Sequence, residues 1–120
     1  RDTRSAASAV AELHRGGVWV LFDIGSHQDF ADATRVIAFI DQAGLGLPDR
    51  DYYVRDDADA KAIRAAYREH VERMLVLSGA GAAAAKAAVD DVMRIETTLA
   101  RAAKTRVERR DPKGLCPRHP

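Results

Sequence analysis

The side chains with the most chemical reach are four histidines, one cysteine and a run of carboxylates. Their spacing decides whether they can act together. His14, His27, His70 and His119 are scattered along the chain. Zinc needs three or four His, Cys or carboxylate ligands converging on one point. The sequence contains no H-E-x-x-H, and the nearest look-alike, EHVER at 69–73, carries a single histidine. His70 therefore reads as a helix-surface residue. Cys116 would need an activating base to work as a nucleophile. His119 is three residues away, but Pro117 and Pro120 make that tail a poor catalytic frame, and a free thiol is the simpler reading. A single cysteine cannot close an internal disulfide, so it carries no compartment signal.

The remaining candidates are weaker. Asp51, Asp56, Asp57 and Asp59 cluster near a helix start, with spacing unlike an EF-hand loop. Capping and compensation of the helix dipole explain them more simply. Ser26, His27 and Asp29 hold the residue types of a nucleophile set, but they are sequence neighbours in a polar stretch. Gly44-x-Gly46 lacks the third glycine of a phosphate loop and is soon followed by Pro48. Arg106, Arg109 and Arg110 could meet phosphate or carboxylate. With Glu108 and Asp111 interleaved, they read instead as local ion pairs or, together with Asp111, as an interdomain contact. No catalytic or metal-ligating residue is assigned on these grounds.

Composition narrows the classes further. A chain of 120 residues suits one small domain. Its hydrophobic fraction of 47% includes 23 alanines, which favour helix but bury little surface. Thin helix–helix seams and some reliance on a partner surface are expected. The formal net charge of +1 argues against a general nucleic-acid binder and against steering to anionic membranes. No apolar run approaches the roughly 20 residues that span a bilayer. The start, RDTRSAASAV, has no apolar h-region, so no signal peptide is expected in this chain.

The elements that would position these side chains are mostly helical. Residues 3–15 read as a helix capped by Thr3 or Ser5, edged by Val10 and Leu13, and stopped by Gly16-Gly17. Residues 18–24, VWVLFDI, read as a strand buried on both faces over most of its length, and 35–41 as a second strand pairing with it in a hairpin. A short helix over 29–39 is the competing assignment. Residues 57–78 form the clearest helix, capped by Asp57 or Asp59, with Ile63, Tyr67, Val71, Met74 and Leu75 at helical spacing and Leu77 near its end. Arg68–Glu72 and Glu69–Arg73 are i,i+4 pairs on its wet face. Residues 82–104 form the next helix, with a stripe of Ala85, Ala88, Val92, Ile95 and Leu99 flanked by Val89 and Met93. The short SGAG link favours an αα-hairpin. The fold class expected is mainly α: an αα-hairpin of two long helices, an N-terminal helix and a short β-hairpin.

Between hairpin and helices lies GLGLPDRDYY, residues 44–53. Gly44 and Gly46 permit positive φ or close backbone approach, and Pro48 fixes φ and pushes Leu47 to extended geometry. Asp49 and Asp51 form turns and local caps, Arg50 lies between them, and Tyr52 and Tyr53 bring large apolar area with a polar tip. The stretch reads as a rigid structural joint.

Residues 28–56 resemble the amino-terminal region of the neprilysin and endothelin-converting-enzyme family of zinc metallopeptidases, its bacterial branch above all. The resemblance is carried by Val36-Ile37, Asp41-Gln42 and the run from Gly44 to Tyr53. It continues through IRAAYREHVERML, Ile95-Glu96, Leu99-Ala100 and Thr105-Arg106-Val107-Glu108-Arg109-Arg110-Asp111-Pro112, over about residues 15–112. It implies a large parent with a zinc-bearing catalytic domain and a mostly helical lid. This chain, residues 1–120, would be a fragment of that lid, with 112–120 an irregular tail. The tail KGLCPRHP departs from the family's usual continuation.

The parent reaction implied is peptide-bond hydrolysis by a zinc-activated water. No position here matches the family's zinc-binding or catalytic motifs, so the resemblance assigns no cofactor to this segment. Its implied partners are the catalytic domain of the same parent and, for the parent, a peptide substrate. No nucleic acid and no membrane contact is expected in this segment. Members are often exported or membrane-anchored. A lid fragment alone would expose apolar patches and self-associate. The alternative is a non-enzymatic helical interaction module.

Overall fold

The computed structural model describes residues 2–111, so Cys116, His119 and the tail over 112–120 lie outside the described residues. The order of elements is α1 (Thr3–Arg15), β1 (Phe22–Gln28), β2 (Val36–Gln42), α2 (Asp51–Val54), α3 (Ala58–Leu77), α4 (Ala82–Ala102) and a 3-10 turn at Glu108–Arg110. The mainly α assignment, the αα-hairpin, the N-terminal helix and the β-hairpin are all present. The chain divides into two compact units. One takes in residues up to Gly44 and again from Arg106; the other runs from Leu45 to Thr105.

In the first unit, α1 is capped by Asp2 rather than by Thr3 or Ser5. The Asp2 carboxylate accepts from the Ser5 N–H at 2.8 Å, and the Ser5 hydroxyl returns a bond to the Asp2 carbonyl at 2.9 Å. Asp2 thus satisfies one of the orphan donors of the first turn. At the other end His14 places Nε2 2.7 Å from the Val20 carbonyl and sets its ring edge-on to Trp19 and Phe22.

That contact helps explain why the first strand begins at Phe22 instead of residue 18. The segment after α1 folds back onto His14, and Leu21 sits at φ 67, outside strand geometry. From Phe22 the strands pair antiparallel, Phe22 opposite Gln42 through Gln28 opposite Val36. The competing helix over 29–39 does not form. Asp29 and Asp32 instead build the turn with their own side chains, accepting from the N–H groups of Ala31 and Thr34 at 2.9 and 3.1 Å.

The expectation that the first strand is buried on both faces fails. Ile24 and its cross-strand neighbour Ile40 are 43% and 72% exposed, and Val36 is 74% exposed. Among the described residues no second layer covers that face of the two-stranded hairpin.

The second unit holds the core. Tyr53, Val89, Met93 and Ala100 are buried together, with Leu45, Leu47, Tyr67, Val71 and Leu75 packed against them. Asp57 caps α3, accepting from the Ala60 N–H at 3.0 Å. The long helices pack closely where alanines stand: Ala85 and Ala100 are fully buried and Ala60 nearly so.

The apolar stripes differ from those read off the sequence. On α4 the buried line is Ala85, Val89, Met93 and Ala100, while Ile95 is 45% exposed. On α3 Ile63, Met74 and Leu77 face outward. Arg68, expected to pair with Glu72 along its own helix, pairs with Asp90 of α4. Apolar periodicity fixes the helix but leaves its rotation free by about one residue, and the small alanines let the tighter seam win.

Candidate functional site

The most organised polar constellation lies in the second unit and centres on Glu96. The buried line of α4 passes through 85, 89, 93 and 100, and Glu96 occupies the position between the last two. One carboxylate oxygen accepts from the Tyr53 hydroxyl at 2.5 Å and from the Gly46 N–H at 3.3 Å. The other accepts from the Tyr67 hydroxyl at 2.9 Å. Tyr53 in turn accepts from the Leu47 N–H at 2.9 Å. Three segments far apart in sequence therefore meet at one carboxylate, which is how a half-buried acid is made tolerable.

The tyrosines register that setting. Burial raises the Tyr67 phenol to about 12, and the Glu96 carboxylate adds to the shift. Burial, again helped by Glu96, raises Tyr53 further still. Both phenols stay protonated and donate to the carboxylate through the neutral range. The three donors around this one acid tie the Gly44–Tyr53 run, α3 and α4 together.

The residues of GLGLPDRDYY fall around this cluster. Gly44 has φ 83, a conformation that side chains rarely adopt, and stands at the boundary between the two units. At Gly46 a Cβ would lie 1.8 Å from the Tyr67 hydroxyl oxygen, so only glycine lets the phenol reach Glu96. Pro48 is exposed. Asp49 accepts from the Asp51 N–H at 2.8 Å, and Asp51 opens α2. Arg50 donates through Nε to the Ala100 carbonyl of α4 at 2.9 Å. The Tyr52 carbonyl accepts from Arg64 of α3 at 2.6 Å, and the same guanidinium reaches the Arg55 carbonyl at 2.8 Å. Tyr53 is 5% exposed.

The other candidates are not brought together. Ser26 and His27 are successive residues of β1 and point to opposite faces. His27 instead places Nδ1 2.7 Å from the Gln28 carbonyl, with its ring against Phe30 and Phe39. His70 is exposed on α3. Arg109 of the 3-10 turn pairs with Asp41 of β2 at 2.7 Å, both within the first unit; Arg106, Arg110 and Asp111 are exposed. Among the described residues no three His, Cys, Asp or Glu side chains converge in a way that could hold a metal ion. Sequence reasoning missed Glu96 as a centre. The signal available was an acid standing in line with Ala85, Val89, Met93 and Ala100.

The chain as a whole is similar to known proteins. The family model described as Peptidase family M13 matches residues 1–118. Human endothelin-converting enzyme-like 1 is 40% identical over 80 residues, covering 67% of this chain and 10% of that protein. An endothelin-converting enzyme homolog of Locusta migratoria is 34% identical over 95 residues, covering 79% of this chain and 13% of that protein. The zinc metalloprotease ZMP1 of Mycobacterium tuberculosis in its open state superposes with TM-score 0.81 at 33% identity, over 94% of this chain and 17% of that one. ZMP1 in complex with inhibitor gives TM-score 0.77 at 35% identity. The chain belongs to peptidase family M13, and it is the amino-terminal region that it represents. It spans only about a tenth of the length of the curated relatives it matches. The likeness to ZMP1 accords with the bacterial branch of this zinc-protease family.

Proposed function

We propose that this chain is a lid segment of an M13-type zinc metalloendopeptidase, structural in role, with the chemistry carried elsewhere in the parent. The observation that carries the reading is the match of nearly the whole chain to a small part of a zinc metalloprotease, 94% of this chain against 17% of ZMP1. The exposure of Ile40, Val36 and Leu77, apolar surface that a larger protein would cover, agrees with it. In this reading the parent hydrolyses peptide bonds with a zinc-activated water. The segment's partner is then the catalytic domain of the same protein. The Gly44–Tyr53 run acts as a joint that fixes the start of the helical unit through Glu96. Arg106, Arg109, Arg110 and Asp111 are offered as the contact toward that domain.

The test is metal analysis and a quenched-peptide cleavage assay on the purified 120-residue chain. No stoichiometric zinc and no cleavage is the expected result. Stoichiometric zinc with chelator-sensitive cleavage would overturn the structural role.

A further inference from the structure

The two long helices carry a second feature, independent of the peptidase reading. On α3, Arg64 and Arg68 stand one turn apart; on α4, Arg94, Thr97, Thr98 and Arg101 follow i, i+3, i+4, i+7 spacing, so all four lie on one face. The structure brings the two rows to the rim of one open groove of about 390 Å³, floored by Tyr53 and Met93. Its lining residues are four arginines, two threonines, Tyr53 and Met93, with no carboxylate side chain among them.

The charges are only partly met. Arg68 pairs with Asp90, and Arg94 with Asp91 at 2.8 Å. Arg64 spends its donors on the Tyr52 and Arg55 carbonyls, which do not neutralise it, although Asp56 lies within its field. Arg101 makes no ion pair or hydrogen bond among the described residues and is exposed. Two guanidiniums therefore face the groove without a carboxylate partner.

We infer that this groove binds acidic peptide segments through their side-chain carboxylates. Geometry favours a peptide over a single small oxyanion. Arg94, whose pair with Asp91 is solvent-exposed and weak enough to exchange, and Arg101 are seven residues apart on one helix, or roughly 10 Å along its axis. One phosphate needs its donors to converge and cannot span that row. An extended chain places alternate side chains on one side at intervals of roughly 7 Å, which matches arginines spread along a seam. Guanidinium forks suit carboxylates, and Arg68 and Arg94 each already hold one, Asp90 and Asp91. The Thr97 hydroxyl suits a peptide carbonyl, whereas that of Thr98 already donates to the Arg94 carbonyl at 2.8 Å.

The test uses the 120-residue chain and a fluorescein-labelled peptide of alternating Glu and Ala, read by fluorescence anisotropy at low ionic strength. Two variants change charge equally: Arg101→Glu in the groove, and Lys86→Glu, on α4 but outside the groove lining. Circular dichroism of both confirms equal helix content. Saturable binding that weakens about tenfold in R101E and much less in K86E, and that falls with salt, is expected. Equal loss in the two variants would mean diffuse charge attraction and would overturn the site, as would failure to bind. Titration with inorganic phosphate decides the ligand class. Displacement no greater than that by sodium chloride of equal ionic strength supports the peptide; displacement far beyond it assigns the groove to a small anion instead.

Discussion

Removing the carboxylate at Glu96 tests the central polar cluster directly. Glu96→Ala strips the acceptor from the Tyr53 hydroxyl, the Tyr67 hydroxyl and the Gly46 N–H at once. Hydrogen bonds to a charged group contribute about 1.5–3 kcal/mol each in protected settings. Glu96 keeps partial access to solvent, and the 3.3 Å bond to Gly46 is long, so the lower end applies and two strong bonds dominate. The expected cost is about 3 kcal/mol, which is large against the total stability of about 5–15 kcal/mol usual for a domain. Glu96→Gln keeps one acceptor oxygen and should cost about 1 kcal/mol. Urea unfolding followed by helix ellipticity measures both, and the thermal midpoint of E96A should fall by more than about 10 °C. If E96A unfolds within about 0.5 kcal/mol of the parent chain, the cluster contributes nothing net and the account of the joint fails with it.

Other expectations follow from the same contacts. Gly46→Ala puts a methyl group where the Tyr67 hydroxyl stands, so the phenol must leave Glu96. The cost should be about 2–3 kcal/mol in urea unfolding, and the combination with Tyr67→Phe should be clearly sub-additive, because both break the same bond. Tyr67 and Tyr53 have raised values in the folded chain, while in the unfolded chain tyrosine ionises near 10. Above pH about 10 the unfolded state loses these protons first, so stability is full below that point and declines as pH rises towards about 12. Alkaline unfolding of Y67F should decline less steeply over that window. Finally, the fragment should self-associate through its exposed apolar face. Ile40→Lys, at a position 72% exposed, should shift sedimentation towards monomer without lowering the melting temperature; a parent chain already monomeric at high concentration would refute this.

What the sequence determined by itself was the three longer helices, the hairpin and the family, while the short helix α2 and the 3-10 turn at Glu108–Arg110 were not legible in it. Helix limits at 3–15 and, within two residues, at 58–77 and 82–102 followed from periodicity, caps and glycine stops, which are local properties. The GLGLPDRDYY run carried the M13 resemblance because a specific order of glycine, proline and aromatic residues is rarely met by chance. Tertiary structure decided the rest. Apolar spacing could not say which edge of α4 turns inward, since alanines populate every edge; packing chose Ala85, Val89, Met93 and Ala100, and left Ile95 out. That rotation put Glu96 into the seam, where tyrosines from two other helices could reach it. The strand at 18–24 moved to 22–28 because His14, on a different element, draws Val20 towards α1. The two arginine rows were visible as spacing on separate helices, but only the antiparallel closure of α3 on α4 set them across one groove. Local pattern fixes what a segment becomes; which of its faces meets another depends on contacts between residues tens of positions apart.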